Sequence, residues 1–160
     1  VPNSKRSLLV DGAIILALGL IAVIGYQFSP LLLPKADLTL TPIDACDLNQ
    51  QACHVDLPDG GRIELAIAPH PIPVIRPLQA TVTFTGLTPA KVELDFAGVA
   101  MDMGLNRVTL VPSGPGRYVG ETTIPVCVTG RMLWRATLIV ETDRRRIAVP
   151  FKFEAPTGGG

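Results

Sequence analysis

The sequence predicts an all-β antiparallel sandwich carried behind one N-terminal transmembrane helix. Three observations predict it. Residues Ala13 to Phe28 contain no charged side chain. From Leu38 onward the apolar residues recur with a period of two, as on a half-buried strand, and not 3.6. Gly and Pro number 15 each while aromatics are 5% of the chain, a composition of many short elements joined by defined turns. With a membrane segment set aside, the 160 residues leave room for one domain of roughly 100–150 residues. Formal net charge is zero, so there is no electrostatic case for a nucleic-acid partner or an acidic substrate.

The anchor comes first. Counted from Leu8, the apolar run is about 20 residues, long enough as a helix to cross a hydrocarbon core of ~30 Å. Pro30 and Pro34 are expected to stop it. A cleaved signal peptide is the rival reading, but Tyr26-Gln27-Phe28-Ser29-Pro30 lacks a small-x-small cleavage site. Lys5 and Arg6 place the N-terminus in the cytoplasm by the positive-inside rule, with the rest of the chain across a bacterial inner membrane in the periplasm. Asp11 sits close enough to the cytoplasmic end to reach headgroups, or meets a neighbouring helix through a polar contact. The expected layout is a cytoplasmic start at 1–7, a membrane helix at 8–29, a linker at 30–36, a periplasmic sandwich at 37–154 and a tail at 155–160.

The strands follow in order. Leu38 to Thr41 alternates briefly. His54 to Leu57 and Arg62 to Ile67 flank Pro58-Asp59-Gly60-Gly61, a strong hairpin signal because glycine accepts the positive φ of such turns. Ile63, Leu65 and Ile67 share one face. Pro69-His70-Pro71-Ile72-Pro73 cannot be a central strand, since three prolines remove ladder donors; it reads as an extended crossover or edge segment. Thr81 to Thr85 and Lys91 to Phe96 lie either side of Gly86-Leu87-Thr88-Pro89, with Val82, Phe84, Val92, Leu94 and Phe96 inward. Arg107 to Val111, Tyr118 to Thr123, Met132 to Glu141 and Ile147 to Phe153 complete about eight strands. Gly114-Pro115-Gly116 and Thr142-Asp143-Arg144 turn the last two pairs. An immunoglobulin-like or cupredoxin-like sandwich is the natural product.

Cys46 and Cys53 are seven apart and close a short loop, so a structural disulfide is expected in an exported domain. Metal ligation with His54, or thiol redox chemistry, is the alternative; the tighter Cys-x-x-Cys of a redox pair is absent. Cys127 is then unpaired: a small buried hydrophobe or a reactive ligand.

The stretch Met101 to Trp134 holds all three methionines, Cys127 and the only tryptophan. Met101 and Met103 project to the same side in extended backbone. Thioether and thiolate are the donors that Cu(I) prefers, whereas harder ions do not seek methionine. Met101, Met103, Cys127 and Met132 are therefore the candidate metal ligands, and His54 and His70 supplementary donors. Strand phase opposes Met132, which shares parity with Trp134, Ala136 and Leu138 and reads as core, where methionine commonly fills gaps.

Met101-x-Met103, Pro115-Gly116-Arg117-Tyr118-Val119-Gly120 and Gly130-Arg131-Met132-Leu133-Trp134 together resemble the YtkA-like and FixH-like families, over roughly Gln79 to Phe153. The N-terminal anchor is similar to the FixH-like layout. The resemblance implies a small exported sandwich concerned with copper handling and haem–copper oxidase assembly. Its expected partners are the membrane and such an oxidase or its assembly factors, and its expected cargo is Cu(I). Cys46, Cys53 and Cys127 depart from the family pattern.

No catalytic constellation is visible, so the chain reads as a non-enzyme. Neither histidine accompanies a nucleophile in a recognisable motif. Glu64, Glu93 and Asp95 alternate with core residues and are expected to be solvated, as is Arg144-Arg145-Arg146.

Overall fold

A computed structural model describes residues 4–32, 36–42, 46–100, 104, 106–125 and 132–155, with side chains in the first segment described for 10–27. The chain divides into two compact units, Val1–Lys35 and Ala36–Gly160.

The first unit is a single helix, α1, Ser4–Leu32. Its Val10–Gln27 stretch is long and apolar enough to cross a membrane, and large aliphatic side chains stand exposed all around it. A helix apolar on every side needs lipid or a protein interior to cover it. The helix runs two residues beyond Pro30, where it was expected to stop. A proline removes one donor and crowds the preceding turn, and here the helix ends within a turn of it rather than before it.

The second unit is mostly β: β1 Leu38–Thr39, β2 Cys53–Asp56, β3 Arg62–Ala68, β4 Pro77–Thr85, β5 Lys91–Gly98, β6 Asn106–Gly114, β7 Arg117–Thr123, β8 Met132–Glu141 and β9 Arg146–Ala155. Each strand expected from the alternation is present. The Asp59-Gly60 hairpin forms as expected: Leu57 N–H donates to Gly61 O at 2.7 Å, Gly60 N–H to Leu57 O at 3.0 Å, and Gly60 takes φ 89°.

All nine strands belong to one curled sheet, ordered β1-β9-β8-β5-β6-β7-β4-β3-β2. The curl turns on β6. Its first half, Asn106 to Leu110, pairs with β5, and its second half, Val111 to Gly114, pairs with β7. A register shift between Pro112 and Gly114 marks an irregularity of the kind that bends a strand. The inner faces of both halves close on one core, with Leu65, Ile67, Val82, Leu94, Phe96, Trp134, Leu138 and Phe151 buried together. Phe96 and Phe153 meet edge to face at 6.4 Å, as do Phe84 and Tyr118 at 5.5 Å.

Of three further details, two depart from the alternation-based reading and one, the parting of β4 from β5, is a point it left open. The pairing of β1 with β9 is parallel, the one parallel pair described in the sheet. Thr81–Thr85 and Lys91–Phe96, adjacent in sequence, lie in opposite halves, β4 beside β7 and β3, β5 between β6 and β8. Glu93 is buried at 8% exposure instead of solvated, because β5 is a central strand flanked by Thr109 and Ile139 in register. Its carboxylate is met by the Lys91 ammonium at 3.0 Å, as a buried charge requires. The basic turn is likewise partnered: Arg145 pairs with Asp59 and Arg146 with Glu141.

Candidate functional site

The strand registers sort the second unit into two ends. Cys53, Ala68, Pro77, Gly98, Asn106, Thr123, Met132 and Ala155 terminate their strands at one end. Asp56, Thr85, Lys91, Glu141 and Arg146 terminate theirs at the other. The chain enters at the second end, where Asp37 N–H donates to Arg146 O at 2.8 Å and its carboxylate accepts from Arg146 N–H at 2.8 Å. There the guanidinium of Arg62, hydrogen-bonded to Asp56 at 2.7 Å, holds the Asp56 carboxyl below its ordinary value.

The first end carries the sulfur chemistry that is described. Cys46 and Cys53 form a disulfide with Cα atoms 5.7 Å apart, as the short spacing predicts. The two cysteines differ in burial: Cys53, on β2, is fully buried, and Cys46 is half-buried. Between them the loop is braced from within. Asp47 Oδ1 accepts from Asn49 N–H at 2.9 Å and Asp47 Oδ2 from the Gln50 amide at 3.1 Å, a local side-chain turn of the type aspartate favours. Leu48 drops into the core with no exposed surface.

Asn49 then reaches outward in two directions. Its Nδ2 donates to Glu154 O at 2.6 Å, and its Oδ1 accepts from Ile72 N–H at 3.0 Å. One side chain thus ties the cystine loop to the end of β9 and to the proline-bounded connection between β3 and β4. That connection is a bent loop, with bends at 69–71 and 74–76, between the ladder-paired β3 and β4, and not the extended crossover or edge segment expected from its prolines; Ile72 and Val74 turn inward and seal the core. Ile75 is 64% exposed at φ 53°, held by its N–H to Ile124 O at 2.9 Å. Between these pieces lies an open groove of about 620 Å³ lined by Cys46, Asn49, Pro71, Leu133, Lys152 and Glu154, among others.

The predicted ligands fall as follows. Met132 begins β8 opposite Ala155 and is 7% exposed in the core, the position its strand parity indicates. Met101, Met103 and Cys127 lie outside the described residues. Their described flanks are at the groove end: Gly98 pairs with Trp134, Val99 N–H donates to Leu133 O at 3.0 Å, and Ile124 lies beside Ile75. His70 is exposed in the proline-bounded connection, also at this end, and His54 is half-buried opposite Glu64 on the β2–β3 ladder. Among the described residues no three His, Cys, Asp or Glu side chains gather as a metal cluster.

Asn49 is the residue that sequence reading passed over. Its place in the short loop between two cysteines is visible in the sequence, but bonds to partners 23 and 105 residues away leave no local signature. No family model, curated protein or solved structure matches the chain.

Proposed function

We propose that this chain is a non-catalytic, membrane-anchored periplasmic accessory protein of a bacterial inner membrane that binds or passes Cu(I) during cytochrome oxidase assembly. The observation that carries the reading is the sulfur enrichment of one stretch: all three methionines and Cys127 lie between positions 101 and 132 of a chain with three cysteines. Soft donors of this kind suit Cu(I) over harder ions. The topology supports it, because the described flanks of the Met101–Met103 and Cys127 segments leave the sheet at the same end. Met101, Met103 and Cys127 are the cargo ligands in this reading, with His70 as a supplementary donor. Met132 contributes packing beside Trp134. We read the curled sheet as an immunoglobulin-like or cupredoxin-like sandwich, on the strength of its two facing halves and single shared core.

Anaerobic Cu(I) titration of the detergent-solubilised chain, in competition with a chromogenic chelator, tests the reading. The expected outcome is binding that weakens at least tenfold, roughly 1.4 kcal/mol, in the Met101→Ala/Met103→Ala variant. Unchanged stoichiometry and affinity in that variant would remove the proposal.

A second reading is favoured by Asp11, the one charged residue within the Val10–Gln27 apolar stretch. An ionisable group in a membrane helix commonly meets a polar partner in the membrane, which suits an accessory subunit of a respiratory complex with the β domain as docking module. Purification in mild detergent decides: co-purifying subunits that are lost in Asp11→Leu support it, and a chain that runs alone opposes it.

A further inference from the structure

The geometry points to Cys46–Cys53 as a thiol-exchange site whose reduction unlatches the groove end of the sheet. This inference stands apart from copper binding. It rests on two observations about the described residues.

The first is the unequal exposure of the two cysteine residues. Cys53 is fully buried on β2 and Cys46 is half-buried on the groove wall. An incoming thiolate meets Cys46 first, and access is one of the determinants of which sulfur is attacked. The ligand class is a dithiol reductant. Its thiolate attacks Cys46 Sγ and forms a mixed disulfide. The Cys46–Cys53 bond breaks, its electron pair leaves on Cys53 Sγ, and that sulfur takes a proton from solvent. The second thiol of the reductant then displaces Cys46, which is protonated in turn, and the reductant closes as its own disulfide. Two electrons and two protons pass from the dithiol to the protein.

The second observation is what the bridge holds. Residues 47–52 form the cystine loop, and from this loop Asn49 pins Ile72 N–H and Glu154 O. Closing a loop by a covalent bond restricts the conformations its residues can reach. Opening the bond loosens Asn49 and, through it, the 70–75 connection and the β9 terminus that border the groove. Leu48, fully buried in the core, keeps the loop attached, so the change is a local opening rather than unfolding. Local openings of this sort occur well below the global unfolding free energy.

Hydrogen exchange on the full chain in detergent micelles, oxidised and after dithiothreitol, tests the latch. Peptides covering 46–52 and 70–75 exchange at least tenfold faster after reduction, while the β8 core around Leu138 to Val140 is unchanged. In Asn49→Ala, with the bridge intact, the 70–75 peptide exchanges fast in both states. Equal rates for 70–75 in oxidised and reduced wild-type protein overturn the latch, as does acceleration that extends equally to β8. Brief exposure to glutathione followed by acid quench places the mixed disulfide on Cys46; an adduct on Cys53 overturns the direction of attack.

Discussion

Replacing Trp134 with alanine lowers the unfolding free energy of the β unit by about 3–5 kcal/mol, the range for emptying a buried large aromatic position. Trp134 is 1% exposed and sits on β8 between Gly98 of β5 and Phe153 of β9. Both neighbours are ladder-paired, and the strands on either side are themselves paired further out. Collapse into the vacated space therefore requires moving hydrogen-bonded backbone, and a site that cannot collapse keeps its cavity. Urea unfolding followed by circular dichroism is the measurement, since the variant removes the only tryptophan. A loss below about 1 kcal/mol would be incompatible with a core position.

Gly116→Val is expected to cost about 3 kcal/mol or more, for two separable reasons. Gly116 has φ 64°, and a Cβ built there meets the Phe84 carbonyl oxygen at 2.6 Å. A β-branched residue held in the left-handed region costs of the order of 1–3 kcal/mol. Forcing extra atoms into a packed contact adds roughly 1–3 kcal/mol. The contact cannot yield cheaply because it is backbone: Phe84 N–H donates to Gly116 O at 2.7 Å, which fixes the hairpin tip against β4. Gly60, also at positive φ (89°) and with nothing near its Cβ, supplies the comparison. Gly60→Val carries the backbone cost without such a contact, so denaturation midpoints of the two variants separate, with Gly116→Val the less stable. Equal midpoints would show that the Phe84 contact does not matter.

The site was legible where its signals are local. The cystine is the first expectation from two cysteines seven apart closing a short loop, and the burial of Met132 follows from its parity with Trp134, Ala136 and Leu138. The groove was not legible, because it is assembled from Cys46, Pro71, Leu133 and Glu154, residues that only long-range pairing brings together. Asn49 belongs to that second class. So does Glu93, whose place in an alternating Lys-Val-Glu-Leu-Asp-Phe run marks the face opposite Val92 and Leu94. Alternation says which face a residue is on, and not that a central strand and a lysine would cover it.

By itself, the sequence determined the apolar helix, the strand positions, the inward faces and the Gly60 and Gly116 turns; it offered the cystine as one of several readings, which the structure closed. Each of these depends on residues contiguous or close in the chain, where backbone stereochemistry and apolar periodicity act directly. Only the tertiary structure decided that β6 is shared between two halves, that β4 and β5 part company, that β1 runs parallel to β9 and that Asn49 ties three segments together. Many strands carry the same alternation, so any of them could pair with any other on local grounds. The choice among them belongs to the burial of one common core around Trp134, Phe96 and Leu65, a free energy that exists only when the whole sheet is formed.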